Sequence, residues 1–343
     1  MLSVLVTGAG GNIGVSMARA LHEWDRPVQV VGTEANDFYG YLSEADTTYE
    51  VPLASDDSYL DRLEDVIERE SVDIILPSNG WEVNVLSEHG STLAASTTLP
   101  DHDSVEIFQN KWNLYEELRQ TDVPTPRTTL VETKAQVTDA VESIPTDEVW
   151  VRGVGIKDLP GRKMADSETI ADWIDYHDVW GECTISMYLS GSDLTWLGVF
   201  DHGTLVCSQG RERLDYGESR SWGTGAPTVS RTIHREDINR IGQQAIEAVD
   251  AKPHGVYFTD MREDGDGTPR VTEVNPGRLG TTSSEFYRRA GLNVTSLLAE
   301  IALGNDYDAP PTYDAISADL HYISKASCNP VIVPGSDIDD AGF

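Results

Sequence analysis

Apolar residues in the first part of this chain fall into short runs and helical stripes that alternate. Residues 2–7 are an apolar run of strand length and residues 15–24 carry a helical stripe. Between them, residues 8–14 hold Gly8, Gly10, Gly11 and Gly14. Residues 28–32 predict a second strand. Residues 59–70 predict a helix with Leu60, Leu63, Val66 and Ile67 on one face. A strand over 72–77 and the start of a helix over 82–88 follow. Strands alternating with helices mean a parallel sheet joined by crossovers.

From residue 111 the pattern changes. A helix over 111–121 is broken by Val123-Pro124-Thr125-Pro126. Strand, helix and strand follow at 127–131, 134–143 and 148–152, then a helix at 167–176. Strands are predicted at 184–190, 195–201 and 204–208, the last two joined through Asp201-His202-Gly203 as a hairpin turn. After a helix at 235–249 come two apolar strands, 255–261 and 269–275. The glycine-containing segment from Glu263 to Thr268 joins them as a second hairpin. Helices at 283–290 and 294–303, a linker at Asp308-Ala309-Pro310-Pro311, and strands at 321–326 and 331–333 complete the reading.

The second hairpin carries the most informative chemistry. Side chains two apart on a strand point the same way, so Glu273 and Asn275 converge. Pairing with the strand before brings Asp260 to them, whereas Asp264, in the turn, is expected to be solvated. Three hard oxygen donors suit Mg²⁺ that also holds a nucleotide's phosphates. Arg278, just beyond, suits a phosphate or a carboxylate. In a chain this acidic any one carboxylate is weak evidence, and the ordered combination is what informs.

That acidity has consequences of its own. There are 58 acidic and 25 basic residues, a formal charge of −33. Such a surface repels nucleic acid and anionic membranes. Only six of the basic residues are Lys, and the acids are spread throughout. Hydrophobic content of 39% and eight Trp still argue for a folded chain. A folded, uniformly acidic, Lys-poor protein is expected to work in concentrated salt, which screens the self-repulsion. Cys183, Cys207 and Cys328 have no CxxC spacing and read as small core residues in a reducing compartment. The chain starts without a basic, apolar leader and has no membrane-length apolar run, so a soluble cytoplasmic protein is expected.

The order of acid-ended strand, glycine turn and Glu273-Val274-Asn275-Pro276-Gly277-Arg278 resembles the metal-binding end of the ATP-grasp ligases. The likeness is greatest to the branch that includes the large chain of carbamoyl-phosphate synthase. Asn110-Lys111-Trp112 and the Pro-x-Pro turn after it are similar to that family's entry into its nucleotide domain, where Lys111 would approach phosphates. The segment from Glu148 to Gly153 looks like the strand whose terminal base, here Arg152, contacts the α- and β-phosphates. Where the family carries a glycine-rich flap, this chain has Gly155 and Gly161 but no Gly-Gly cluster. Arg152, Lys157, Arg162 and Lys163 crowd there, as an anion-facing loop would require. Met187-Tyr188-Leu189-Ser190 resembles the linker that holds adenine through the backbone of Tyr188 and Leu189, with Asp193 the ribose candidate. Arg211 and Arg213 alternate on one strand face toward phosphates or an acidic substrate. Ordinary ion pairing with surface acids is an equal alternative for them.

The resemblance implies a mixed α/β and α+β ATP-grasp fold. Residues 1–105 would form a Rossmann-like domain, 106–185 a small lid and 186–343 the subdomain with the metal site. It implies ATP with Mg²⁺ or Mn²⁺, activation of a carboxylate as an acylphosphate, and attack by an amine or thiol. Arg152 and Arg278 would handle the reacting groups of small-molecule substrates, and a homodimer is compatible with the family. Two rivals stand beside it. Gly8-x-x-Gly11-x-x-Gly14, with Glu34 twenty residues on, is a dinucleotide fingerprint that suits an NAD-dependent epimerase or reductase. No Tyr here has the Lys four residues later that such enzymes use. The other rival is a nucleotide-binding homologue without turnover.

Overall fold

The computed structural model describes residues 1–155, 159, 161–216, 227–281 and 283–323, and its strands form three sheets. The first is built from β1 (Leu2–Val6), α1 (Asn12–His22), β2 (Val28–Glu34), β3 (Thr47–Glu50), α2 (Tyr59–Glu70), β4 (Ile74–Leu76), α3 (Gly80–His89) and β5 (Ser96–Thr97). Its strands are all parallel, in the order β3-β2-β1-β4-β5. Leu5 on β1 meets Leu63, Val66 and Ile67 of α2, while Val4 and Val6 meet Met17 and Leu21 of α1. That alternation sandwiches the sheet between helices. The short β3 and β5 carry no apolar run, so the hydrophobic pattern gave no sign of them.

The second sheet follows α4 (His102–Gln109) and α5 (Lys111–Leu118). It contains β6 (Thr128–Val131), α6 (Lys134–Ser143), β7 (Val149–Gly153), β8 (Arg162–Met164), α7 (Ser167–His177) and β9 (Cys183–Met187). The order is β6-β9-β7-β8, every pair antiparallel. Val137 and Ala140 of α6 and Ile170 and Ile174 of α7 pack on Val149, Val151, Cys183 and Ile185. A capping box between Thr133 and Gln136 starts α6. β8 departs from the sequence reading. Arg162 and Lys163, expected in a flap, lie on an edge strand paired to β7.

The third sheet carries the longest strands: β10 (Asp193–Asp201), β11 (Thr204–Asp215), β12 (Val229–Ile233), then after α8 (Glu236–Glu247) β13 (Gly255–Glu263) and β14 (Pro269–Pro276). After α9 (Ser283–Arg289) and α10 (Val294–Ala302), β15 (His321–Ile323) closes the order β14-β13-β10-β11-β12-β15. Leu194, Trp196 and Phe200 of β10 face Ile238, Ile241 and Ala245 of α8. Leu197 and Val199 face the other way, into a core shared with Val4, Val6 and the α10 residues Leu297 and Leu298. The first and third sheets are therefore joined through α9 and α10. Lys157, the expected strand at 331–333 and Cys328 lie outside the described residues, while Cys183 and Cys207 are buried free thiols. Among the described residues no helix is long and apolar enough to cross a membrane.

Candidate functional site

Strand register gathers the polar residues of the third sheet. Arg211 of β11 is opposite Thr195 of β10, Thr195 opposite Asp260 of β13, and Asp260 opposite Glu273 of β14. One rung away, Arg213 is opposite Asp193 and Phe258 opposite Asn275. Period-two alternation places all of these on the face that, further along, carries Leu197 and Val199. One strand face thus changes from apolar core to charged floor along its length.

A bulge fixes the detail. The β13–β14 register shifts after Asp260, so Glu273 pairs with Asp260 but Val271 pairs with Met261, leaving Thr272 extra. The Thr272 carbonyl accepts Arg152 Nη2, and its hydroxyl donates to the Asp260 carbonyl at 3.1 Å. Arg152 thereby reaches from β7 across to the third sheet, with its Nη1 3.6 Å from Glu273 Oε2. Lys111, the first residue of α5, has its Nζ 3.9 Å from the same oxygen and 3.3 Å from the Gly155 carbonyl. Asn275 Nδ2 donates to Glu273 Oε1 at 3.3 Å, and Arg278 Nη2 donates to Asn275 Oδ1 at 2.6 Å. Asp260 is held by Thr195 Oγ1 at 3.1 Å and by Arg213 Nη2. Arg213 Nη1 lies 3.5 Å from Asp193, to which the Tyr216 hydroxyl also donates.

Burial opposes ionisation of both central acids, and their neighbours separate them. Asp260 is raised by burial and by the Glu273 charge beside it, more than Arg213 lowers it. For Glu273 the penalty of burial is outweighed by Lys111 and Arg152, which hold it below the usual carboxylate range. The two carboxyl groups face each other across the strand pair, so the charge on Glu273 disfavours ionisation of Asp260. Burial lowers Lys111, against the pull of Glu273.

Above this floor lies a cavity of about 960 Å³ between the second and third sheets. Trp150, Tyr188 and Leu189 wall one end, and Arg278, Gln109 and Gly80 lie along its lining at the first sheet's side. The Nε atoms of Arg152 and Arg213 are buried and find no hydrogen-bond partner among the described residues. Orphaned buried donors are costly, and an anion bound in the cavity would offer them acceptors. The carboxylates of Asp260 and Glu273 and the amide oxygen of Asn275, which accepts from Arg278 here, lie at the same space and are the oxygen ligands a hard divalent cation takes. Both observations fit a metal-bound polyphosphate.

Of the residues singled out from sequence, Asp260, Glu273, Asn275, Arg278, Lys111, Arg152, Asp193, Arg211, Tyr188 and Leu189 all line this one cavity. Lys163 does not. Its Nζ pairs with Glu148 at 2.9 Å and lies over the Tyr188 ring, 5.2 Å from its centre. Asp264 is not solvated as expected. It is 9% exposed and accepts from the amides of Asp266 and Thr268, each at 3.0 Å, and from Arg270 Nε at 2.7 Å. A carboxylate is the natural organiser of this tight turn because it accepts several donors at once. Of the two arginines that the sequence offered together, Arg213 is the residue that bridges Asp260 and Asp193. Its period-two spacing from Arg211 was the available signal. Tyr216, Trp150 and the Thr272 carbonyl had none.

The glycine turn is built differently from a dinucleotide cradle. The Glu34 carboxylate accepts the amide of Gly10 at 3.0 Å and those of Ala35 and Asn36. A Cβ on Gly10 would sit 1.9 Å from the Tyr39 carbonyl, so the chain itself covers the turn. The acid proposed for a ribose is turned onto its own backbone.

Residues 4–99 match the family of PylC-like N-terminal domains. No curated protein matches the chain in sequence. Solved structures resemble it over most of its length. An L-amino acid ligase from Bacillus licheniformis is 15% identical with a TM-score of 0.69, over 88% of this chain and 74% of that one. The biotin carboxylase domain of the Hydrogenobacter thermophilus 2-oxoglutarate carboxylase, solved with MgADP, ADP and bicarbonate, is 15% identical with a TM-score of 0.73. That match covers 94% and 73% of the two chains. N5-carboxyaminoimidazole synthetase from Staphylococcus aureus, solved with ADP, is 12% identical with a TM-score of 0.69, over 90% and 79%. The chain has the ATP-grasp fold, with a parallel N-terminal sheet and antiparallel sheets after it, as the sequence motifs implied.

Proposed function

We propose that this protein is an ATP-dependent ligase that activates a carboxylate as an acylphosphate for capture by an amine or thiol. The observation that carries the reading is the half-buried set of Asp260, Glu273 and Asn275, ringed by Arg152, Lys111, Arg213 and Arg278 at one cavity. In this reading residues 1–105 form the N-terminal domain, 106–185 the lid and 186–343 the subdomain with the metal site. ATP lies between the last two, its base beside Tyr188 and Leu189 and its ribose near Asp193. Asp260, Glu273 and Asn275 hold Mg²⁺ or Mn²⁺, and Arg278 turns from Asn275 to the substrate carboxylate. Bound Mg²⁺ supplies charge neutralisation at the transferring phosphoryl group. Arg152 and Lys111, which balance Glu273 here, are placed to meet phosphate oxygens and to keep water-exposed charge out of the site. Motif likeness favours the carbamoyl-phosphate-synthase-like branch, and the acidic composition favours work in concentrated salt.

Two measurements test the proposal. Mg-ATP should raise the melting temperature, by RT ln(1 + [L]/Kd) or ~2.7 kcal/mol at a hundredfold excess over Kd, and NADH should not. ADP release in molar KCl across a panel of amino acids and amines should find a substrate pair. Stabilisation by NADH without any by Mg-ATP would overturn the ligase reading. Stabilisation by Mg-ATP with no turnover across the panel would favour a nucleotide-binding homologue instead.

A further inference from the structure

Asp260, Glu273 and Asn275 each face a cation of the chain itself, and the pairings are of two kinds. Arg213 donates directly to Asp260 Oδ1, and Arg278 donates to Asn275 Oδ1 at 2.6 Å. Arg213 belongs to β11 and Arg278 follows β14, so both stand on the same sheet as the oxygens they hold. Lys111 and Arg152 come instead from α5 and β7. Their nitrogens are 3.9 and 3.6 Å from Glu273 Oε2, too far for a direct hydrogen bond.

Charge attraction alone therefore keeps these two on Glu273. They lack the short contact that makes a charge-assisted hydrogen bond about twice as strong as a neutral one. Each also has a second anchor that does not involve Glu273. Lys111 Nζ is 3.3 Å from the Gly155 carbonyl, and Arg152 Nη2 donates to the Thr272 carbonyl. Either side chain can give up Glu273 and keep a partner.

A divalent cation approaching on its own meets Lys111, Arg152, Arg213 and Arg278 around two carboxylates, all at one cavity. Repulsion from those four charges opposes its entry. A polyphosphate reverses the balance. Its oxygens offer Lys111 and Arg152 direct charge-assisted bonds of normal length and draw them off Glu273. The carboxylate is then left with charge for a metal to neutralise.

We propose that Lys111 and Arg152 are exchangeable counter-ions, which hold Glu273 against bare divalent cations and release it when a polyphosphate binds. The inference rests on the ligase reading above and adds a coupling to it. Polyphosphate and metal each raise the affinity of the other, by the same factor. Asp260 and Asn275, held by direct hydrogen bonds within their own sheet, are not released in this exchange.

The test reads bound Mn²⁺ by electron paramagnetic resonance on the full chain, at one fixed KCl concentration, and needs no turnover. Binding at the site is taken as the difference from Glu273→Gln, which removes scattered binding to the acidic surface. The parent with Mn²⁺ alone should show no saturable difference. Inorganic tripolyphosphate, which has no base or ribose, should raise Mn²⁺ affinity at the site about tenfold or more, with a protein-free series correcting for the complex in solution. Lys111→Met should gain binding, taking up Mn²⁺ alone about tenfold more tightly than the parent, and adding Glu273→Gln should cancel the gain. Arg152→Gln should act in the same direction. Mn²⁺ alone binding the parent as tightly as with tripolyphosphate, or no gain in either charge-removing variant, would overturn the coupling and leave Mg-ATP binding untouched. Absence of any Mg-ATP stabilisation of the parent is a different result, the failure of the ligase reading itself.

Discussion

Glu273 is the residue on which the proposed chemistry turns, because it faces Asp260, Lys111, Arg152 and Asn275 at once. Glu273→Gln should abolish ADP release and leave the circular dichroism spectrum unchanged, since Gln keeps the size and loses the charge that holds Mg²⁺. Asn275→Ala should be milder, because a neutral amide oxygen contributes less field. Asp264 is unsuitable as a control, being tied into its turn, so Asp266→Asn at the exposed tip serves and should be near neutral. If Asp266→Asn stops turnover and Glu273→Gln does not, the metal site lies elsewhere. Glu82 gives a second residue-level expectation. It is buried beside the Thr7 hydroxyl, and burial pushes its carboxyl up to about 7 from 4.5. A carboxyl raised on folding contributes stability that is full below its unfolded pKa and is lost as pH rises through the folded one. Melting of Glu82→Gln against the parent should therefore shift in the variant's favour between about pH 5 and about pH 8, by roughly 1–3 kcal/mol. A pH-independent difference would show that Glu82 is not buried in this way. The acids on β13 and β14 were legible because two-residue spacing fixes a shared face. The roles of Lys163 and Asp264 were not, since each depends on which neighbour the fold supplies.

At the scale of elements, the β13–β14 hairpin and its bulge place the whole site. Asp264→Ala removes three hydrogen bonds that close the turn, one of them from Arg270. It should cost about 1–3 kcal/mol by denaturant titration and raise the Mg-ATP requirement, because Glu273 and Asn275 follow that turn. Unchanged stability would mean the turn holds itself through its backbone alone. The packing of α8 on β10 is a second test. A Cβ on Gly242 would lie 2.4 Å from the Trp196 ring, which is fully buried and pinned by its Nε1 bond to Asn239. Alanine is favoured over glycine in a helix by about 1 kcal/mol, but overpacking against a rigid ring costs about 1–3. Gly242→Ala should therefore lower the melting temperature despite its better propensity. Long amphipathic elements such as α2 and α8 were readable from their stripes. β3, β5, β8 and α4 were not, because a short or edge element is held by neighbours more than by its own pattern.

For the whole molecule the dominant fact is its formal charge of −33. Repulsion among 58 acidic residues is screened as the Debye length falls to about 3 Å at 1 M salt, so the melting temperature should climb as KCl rises to the molar range. A melting temperature unchanged between dilute and molar KCl would refute salt adaptation and leave the ligase proposal standing. The sequence by itself determined the alternating α/β start, the pairing of the last long hairpin and the convergence of Glu273 with Asn275. Each follows from local rules, the period of a strand, the period of a helix and the demands of a turn. Only the tertiary structure decided that Arg152 reaches the bulge at Thr272, that Arg213 bridges Asp193 and Asp260, and that Glu34 seals the glycine turn. It also decided that α9 and α10 join the first sheet to the third. These contacts link residues far apart in the chain, and their energies depend on burial and on which charges end up adjacent. No local pattern carries that information.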